Sequence, residues 1–176
     1  QAALEGTNLQ GALPVTDKVD TRFGVFVNDG TGSKLSYYMG LETGAAWCRV
    51  SSDSADSVLQ VTLRNNAPKN ITSLPDSVVG PGYYQTKRGL TRNLAYFYLP
   101  KGAQIIANDV AGDGPLGGFG RGTHNGIDVL TWETLLAPGE TATATVRVRT
   151  GWTPNISVVA TPVIPGTATE VLPTCN

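Results

Sequence analysis

The sequence predicts an all-β fold, an immunoglobulin-like antiparallel β-sandwich with an irregular N-terminal arm and long loops. Three observations favour it over a helical fold. Apolar and polar residues alternate in several segments, most clearly in Thr141–Thr150, and a period of two places them on opposite faces of a strand. The 176 residues include 21 Gly and 11 Pro, which supply turns between these segments. Only 15% of the residues are charged, which is not the composition of a disordered chain.

The predicted organisation is an arm over residues 1–22, followed by a single sandwich domain over residues 23–176. Each predicted strand combines apolar alternation with a turn signal beside it. In chain order the strands are Phe23–Asn28, Ala45–Ser51, Ser57–Asn65, Arg92–Leu99, Gln104–Asn108, Ile127–Leu136, Thr141–Thr150 and Ser157–Thr161.

Two local features refine this pattern. The segment Ser33–Met39 suits either a strand or a short helix, and the spacing of its apolar residues favours the helix. Asn125-Gly126 is the dipeptide typical of a tight hairpin turn, so we expect His124 at the exposed end of a hairpin strand.

Charge and hydropathy exclude some classes of partner. The formal net charge is -1 and the isoelectric point is near 5.8, so no bulk attraction to nucleic acid or anionic lipid is expected. No apolar run approaches the ~20 residues that span a bilayer. The first residues do not resemble a signal peptide, and we expect the chain to be a fragment whose targeting segment lies elsewhere.

The two cysteines, Cys48 and Cys175, are too far apart in sequence for a CxxC metal or redox motif. They could remain two unpaired thiols, or they could form a disulfide that ties the C-terminus to an early strand. An extracellular compartment favours the disulfide.

No catalytic or metal motif accompanies the strands. His124 is the single imidazole, and no Gly-x-Ser-x-Gly nucleophile elbow is present. Asp109 and Asp113 lie in a glycine-rich stretch and could bind calcium, but no bidentate Glu closes the loop, and turn chemistry explains them as well. We therefore predict no catalytic residue, no metal site and no cofactor.

The connection Asn66–Gly89 is the strongest candidate for a binding segment. Loops longer than ~15 residues are unusual and often functional. This one contains Tyr83 and Tyr84, which could stack on sugar rings, beside the cations Lys87 and Arg88. Aromatic residues in sandwiches more often pack in the core or at an edge, so both interpretations remain open.

Several local patterns occur together in an order that resembles a known family. They are Glu5–Thr7, Gly11–Pro14, Gly24–Asp29, Gly32–Tyr38, Val61–Pro68 and Gly80–Gly82. They resemble the C-terminal part of the bacterial envelope proteins grouped as domain of unknown function 4012, and the resemblance runs from the first residues to about Thr150. It implies a longer parent protein with an N-terminal membrane anchor, whose remaining part lies outside the membrane. It also implies a bacterial source in which genes of this family often accompany genes for surface polysaccharide. The family offers no catalytic residues to carry over.

The leading functional expectation is a non-catalytic binding or assembly module of a membrane-anchored cell-surface protein. Its partners would be envelope polysaccharide or other domains of the parent chain, with no nucleic acid and no membrane contact by this fragment itself. One alternative is a hydrolase acting on glycans with paired carboxylates drawn from Asp109, Asp113, Asp128 and Glu133. The other is a structural spacer.

Overall fold

The computed structural model describes residues 13–82 and 86–164, and the backbone of residues 167–171. This part of the chain is all-β, and its two five-stranded sheets are arranged as a β-sandwich, which confirms the all-β sandwich part of the predicted fold class. The strands are β1 (Asp20–Asp29), β2 (Met39–Arg49), β3 (Ser54–Asn65), β4 (Thr91–Tyr98), β5 (Gln104–Gly112), β6 (Gly120–His124), β7 (Ile127–Leu136), β8 (Thr141–Gly151), β9 (Asn155–Ala160) and β10 (Thr167–Val171).

Sheet A has the strand order β6-β7-β4-β1-β9, and sheet B has the order β10-β2-β3-β8-β5. Most neighbours are antiparallel, but β9 runs parallel to β1 and β10 runs parallel to β2. After β8 the chain passes to the edge of sheet A and then returns to the edge of sheet B. Because no hairpin joins these last strands to their neighbours, parallel pairing is open to them.

The core lies between the two sheets, where the alternation of each strand directs its apolar residues. Sheet A contributes large side chains, including Phe23, Phe97 and Trp132, and sheet B contributes aliphatic ones, including Leu59 and Val146. Each of these five side chains is buried. Full burial of one such side chain contributes about 1.5–3 kcal/mol. The alternation of apolar residues in the sequence identifies which side chains make this contribution.

The boundaries differ from the expectation at a few places. β1 begins at Asp20, so the end of the predicted arm belongs to the strand, and residues 1–12 of the arm lie outside the described residues. Neither β6 nor β10 was predicted as a strand from the sequence. The short helix is confirmed as a 3₁₀ helix over Leu35–Tyr38. The hairpin at Asn125-Gly126 is also confirmed, with φ of 50° and 73° at these residues, as a type I′ turn requires.

The connection that follows β3 is more structured than its Pro and Gly content suggests. It contains a 3₁₀ helix over Ile71–Ser73 and a one-turn helix, α1, over Asp76–Val79. A small second cluster of buried apolar side chains holds it to the sandwich: Leu35, Ala67, Ile71 and Val79.

Gly112, the last residue of β5, occupies a position that only glycine tolerates. Its φ is +125°, and an added Cβ would lie 2.4 Å from the carbonyl oxygen of Thr141 on β8. Glycine here lets the edge strand approach its neighbour closely before the chain turns toward β6.

Candidate functional site, a groove on the outer face of sheet A

An open groove of about 360 Å³ lies on the face of sheet A that points away from the core. Its volume falls at the small end of the range for small-molecule sites, about 300–1,000 Å³. It crosses three neighbouring strands, β4, β7 and β6. The lining residues are Tyr96, Tyr98, Arg121, Gly122, Thr123, His124, Val129 and Thr131.

Strand alternation places the two tyrosines on this face. Tyr96 and Tyr98 alternate with Ala95 and Phe97, which are fully buried in the core. The register then sets the groove's width, because Tyr98 lies opposite Val129 of β7, and Val129 lies opposite Gly122 of β6. Residues paired across neighbouring strands share a face, so one row of the sheet brings together residues that are distant in sequence.

Aromatic rings form a continuous row across the sheet. Phe26 of β1 packs edge-to-face against Tyr98, with ring centroids 5.3 Å apart. Tyr98 contacts the His124 ring at 5.8 Å, and its hydroxyl lies 2.8 Å from His124 Nδ1, within hydrogen-bond distance. These contacts fix the orientation of the Tyr98 ring, and a pre-oriented ring loses little conformational entropy when a ligand stacks on it.

The edge strand leaves the groove open to solvent. All five residues of β6 are exposed, and Gly122 has nothing within 4 Å of where its Cβ would be. Since Gly122 carries no side chain, a flat ligand can lie beside the tyrosines without a steric barrier from β6.

Several carboxylates of the hydrolase hypothesis lie far apart. Asp109 lies on β5 of sheet B, whereas Asp128 and Glu133 lie on β7 of sheet A. Asp128 and Glu133 are separated by about 17 Å along their strand, well beyond the ~6.5–9.5 Å of an inverting pair.

The remaining carboxylate, Asp113, accepts a hydrogen bond from the backbone N–H of Thr141 at 3.0 Å. Asp109 is paired in the sheet with Thr145, about 13 Å along β8 from Thr141. Asp109 and Asp113 therefore do not form a close pair around a glycosidic bond either.

Glu133 already has a partner. It accepts a hydrogen bond from Arg92 Nε at 2.6 Å, and this bond, with the coulombic attraction, raises the pKa of the Arg92 guanidinium. In the described part of the chain, no three His, Cys, Asp or Glu side chains are placed to hold a metal ion.

Of the predicted ligand-binding residues, Lys87 and Arg88 do not line this groove. Tyr83 and Tyr84 are outside the described residues. Lys87 is exposed. Arg88 forms an ion pair with Asp76 and donates to the carbonyl oxygens of Thr72 and Leu74 at 3.1 and 3.0 Å. These contacts hold the connection in place, and a role for this segment in binding stays a prediction.

The groove itself was missed at the level of sequence, although two of its signals were present. Arg92–Leu99 was recognised as an aromatic strand, and His124 was placed at the exposed end of a hairpin strand, which the structure confirms. The missing information is that β4 and β6 flank the same strand, β7.

The predicted disulfide involves one described residue. Cys48 lies near the end of β2, and Cys175 lies outside the described residues. β10 runs parallel to β2, and Val171 pairs with Ala45, so the chain at the end of β10 points toward the Cys48 end of β2. The Cys48–Cys175 disulfide stays a prediction that this strand direction favours.

Comparison of the chain with family models, curated proteins and solved structures gives no significant match. Among the described residues, no helix is both long enough and apolar enough to cross a membrane.

Proposed function

We propose that this chain is a non-catalytic, extracellular binding module of a membrane-anchored cell-surface protein, and that it binds envelope polysaccharide in the groove of sheet A. The observation that carries the proposal is the row of oriented rings, Phe26, Tyr98 and His124, beside Tyr96 on an exposed sheet face. The apolar C–H face of a sugar ring packs well on the negative face of an aromatic ring. Binding sites of this kind need a rigid platform and no reactive group.

A two-sheet sandwich is a suitable support for such a platform. The groove residues lie on paired strands, and their backbone positions are set by the sheet hydrogen bonds. The opposite face of the same sheet packs on the buried core that includes Phe97 and Trp132. A preorganised surface of this kind orders few groups on binding, which reduces the entropic cost of association.

The extracellular location is part of the same proposal. It is supported by the resemblance of the sequence to envelope proteins and by the direction of β10 toward Cys48, which would suit a disulfide in an oxidising compartment. We also propose that the sandwich is of the immunoglobulin-like kind, supported by its mainly antiparallel sheets and the alternation of each strand.

The experiment is equilibrium binding of the purified chain to polysaccharide extracted from the bacterial envelope, measured by calorimetry. The test variant is Tyr96→Ala/Tyr98→Ala. Loss of one aromatic ring that stacks on a nucleobase costs about 1–3 kcal/mol. With a similar cost for a sugar ring, the double variant should bind at least about tenfold more weakly. Tyr83→Ala/Tyr84→Ala tests the other candidate segment in parallel.

The matched control is Tyr37→Ala, which removes a tyrosine that is 57% exposed in the 3₁₀ helix, outside the groove. It should bind like the wild type. Thermal denaturation of each variant establishes that the sandwich is intact. If the wild type binds no envelope fraction, the spacer alternative replaces this proposal. If it releases reducing ends from the polysaccharide, and Glu133→Gln or Asp128→Asn abolishes the release, the hydrolase alternative replaces it.

A further inference from the structure

The two rows of paired residues that form the groove floor bring hydroxyl groups, ring faces and aliphatic carbon to one surface. The rows are Tyr96-Thr131-Gly120 and Tyr98-Val129-Gly122, and residues paired across neighbouring strands share a face. The Thr131 hydroxyl oxygen lies 2.5 Å from where a Cβ of Gly120 would be, so it points along this surface toward β6. We infer, on the basis of the proposed function, that the ligand is a neutral glycan, whose C–H face packs on the rings and whose hydroxyl groups bond these hydroxyls.

Arg121 and Asp128 carry the formal charges of β6 and of the adjoining end of β7, and both lie on the other face of sheet A. Arg121 is paired with Leu130, a buried core residue, and it alternates with Gly122, so its side chain leaves β6 away from the tyrosines. Asp128 alternates with Val129 in the same way. The groove face receives neither charge.

One ion pair does lie on the groove face, and its two charges compensate each other. Glu133 follows Thr131 at a spacing of two on β7, and it accepts a hydrogen bond from Arg92 Nε at 2.6 Å. An anion that stacked on the tyrosines would give up water on one side without an ionic partner among the described residues that face the groove, which is costly. A neutral sugar ring avoids this cost.

The contact between Tyr98 and His124 suits a ligand rich in hydroxyl groups. It spans β7, since the Tyr98 hydroxyl lies 2.8 Å from His124 Nδ1 and the two residues belong to β4 and β6. Val129, which lies between them on β7, is buried although it faces outward. A tyrosine hydroxyl both donates and accepts, so after pairing with the imidazole it retains the complementary role for a sugar hydroxyl, which itself donates and accepts.

Gly122 sets the charge of this surface, because any side chain there would project into the groove. It is exposed, and a Cβ added to it meets nothing within 4 Å, so the sheet accommodates a substitution. Thr123, the next residue, is also exposed and is paired with Asp128, and its side chain starts from the opposite face of β6. The two neighbouring positions form a matched pair for adding one charge inside or outside the groove.

The experiment separates envelope polysaccharide into neutral and acidic fractions by anion exchange. Calorimetry then measures the affinity of the purified chain for each fraction at pH 8, above the usual titration range of imidazole. Oxidation of the primary alcohols of the neutral fraction to carboxylates adds charge to the same backbone. We expect the wild type to bind the neutral fraction at least about fivefold more tightly than the acidic fraction and than its own oxidised form.

The test variant is Gly122→Lys, and its matched control is Thr123→Lys. Gly122→Lys supplies an ionic partner inside the groove, so the affinity for the oxidised polymer relative to the neutral one should rise about tenfold. Thr123→Lys adds the same charge to the other face and should keep the wild-type ratio. Gly122→Gln adds similar bulk without charge and should weaken the binding of both forms alike. Melting temperatures identify any variant that fails to fold.

The outcomes separate this inference from the proposed function. If the wild type binds the acidic fraction or the oxidised polymer as tightly as the neutral one, and Tyr96→Ala/Tyr98→Ala loses that binding, the neutral ligand is overturned and the glycan-binding module stands. Equal changes of the ratio in Gly122→Lys and Thr123→Lys would assign the selection to overall charge and would overturn the role of the groove face in it. If neither fraction binds, both the inference and the proposed function are overturned.

Discussion

Asp56 anchors a charged cluster on the outer face of sheet B, and its replacement by asparagine should destabilise the fold in a pH-dependent way. Its side chain accepts hydrogen bonds from Arg149 Nε at 2.8 Å and from an Arg147 terminal nitrogen at 3.3 Å. Asp56 is only 8% exposed, while the two arginine side chains are 49% and 45% exposed. Solvent therefore screens each pair, and each contributes about 0.2–1 kcal/mol.

Asp56→Asn removes both pairs and leaves two cations on one face of β8. We expect the free energy of unfolding at pH 7 to fall by about 1–2 kcal/mol. For a domain of this size that corresponds to a decrease of about 2–8 °C in Tm.

The sign of the pH effect follows from the Asp56 carboxyl. The hydrogen bond from Arg149, followed by the coulombic effect of both arginines, lowers the pKa of Asp56 in the folded state. A lowered folded pKa means that the stabilisation is fully present above the unfolded value, about 3.9, and is lost as the pH falls through the folded value. The wild type and Asp56→Asn should therefore differ fully at pH 7, and the difference should shrink as the pH falls below about 3.9 and vanish below the folded pKa of Asp56.

Urea denaturation followed by circular dichroism, at pH 7 and at pH 3, measures this difference. Asp109→Asn is the matched control, because Asp109 is an exposed carboxylate on the neighbouring sheet strand β5. It should change stability by no more than about 0.5 kcal/mol. If Asp56→Asn were equally destabilising at both pH values, the effect would come from packing and the electrostatic reasoning would be refuted.

Three further predictions concern other parts of the chain. Gly112→Ala should destabilise the fold by about 2 kcal/mol or more because of its positive φ and its close backbone neighbour. Gly118→Ala is the control and should not destabilise it, because a Cβ added there meets nothing within 4 Å. Equal Tm values for the two variants would contradict this prediction. Intact mass under non-reducing conditions should show Cys48 joined to Cys175, and two free thiols after aerobic purification would exclude the bond. His124→Ala should cost at most about 0.5 kcal/mol of stability and should weaken glycan binding, so unchanged binding would remove His124 from the site.

The strands that could be predicted are those in which apolar and polar residues alternate within the strand itself. β3, β7 and β8 alternate clearly because one face of each is buried, and their apolar residues record that burial directly. β6 has no such record, because an edge strand with every residue exposed has no reason to alternate. The second apolar cluster was also hidden, since Leu35 and Ile71 belong to segments that meet only in the folded chain.

The groove could not be predicted because it depends on which strands lie side by side in the sheet. The aromatic strand and the hairpin end were each recognisable, but their common neighbour β7 is fixed by the strand order of sheet A. Hydrophobic periodicity predicts which face of a strand is buried and does not state which strands lie side by side. For this reason the binding segment predicted from the sequence was the longest loop, whereas the groove in the structure lies on the outer face of sheet A.

The outer faces of the two sheets differ in how far their polar groups are satisfied. On sheet B the cross-strand pairs complete one another, as in the hydrogen bond between the Thr62 and Thr143 hydroxyls at 2.9 Å and the pairing of Asp56 with Arg149. Such partners stabilise the folded state and leave little to offer a ligand. On sheet A, His124 lies beside the partly exposed Tyr98 ring, and its Nδ1 is within hydrogen-bond distance of the Tyr98 hydroxyl. A contact at the exposed end of a hairpin strand adds little to the stability of the fold, which agrees with the binding role that we propose for this face.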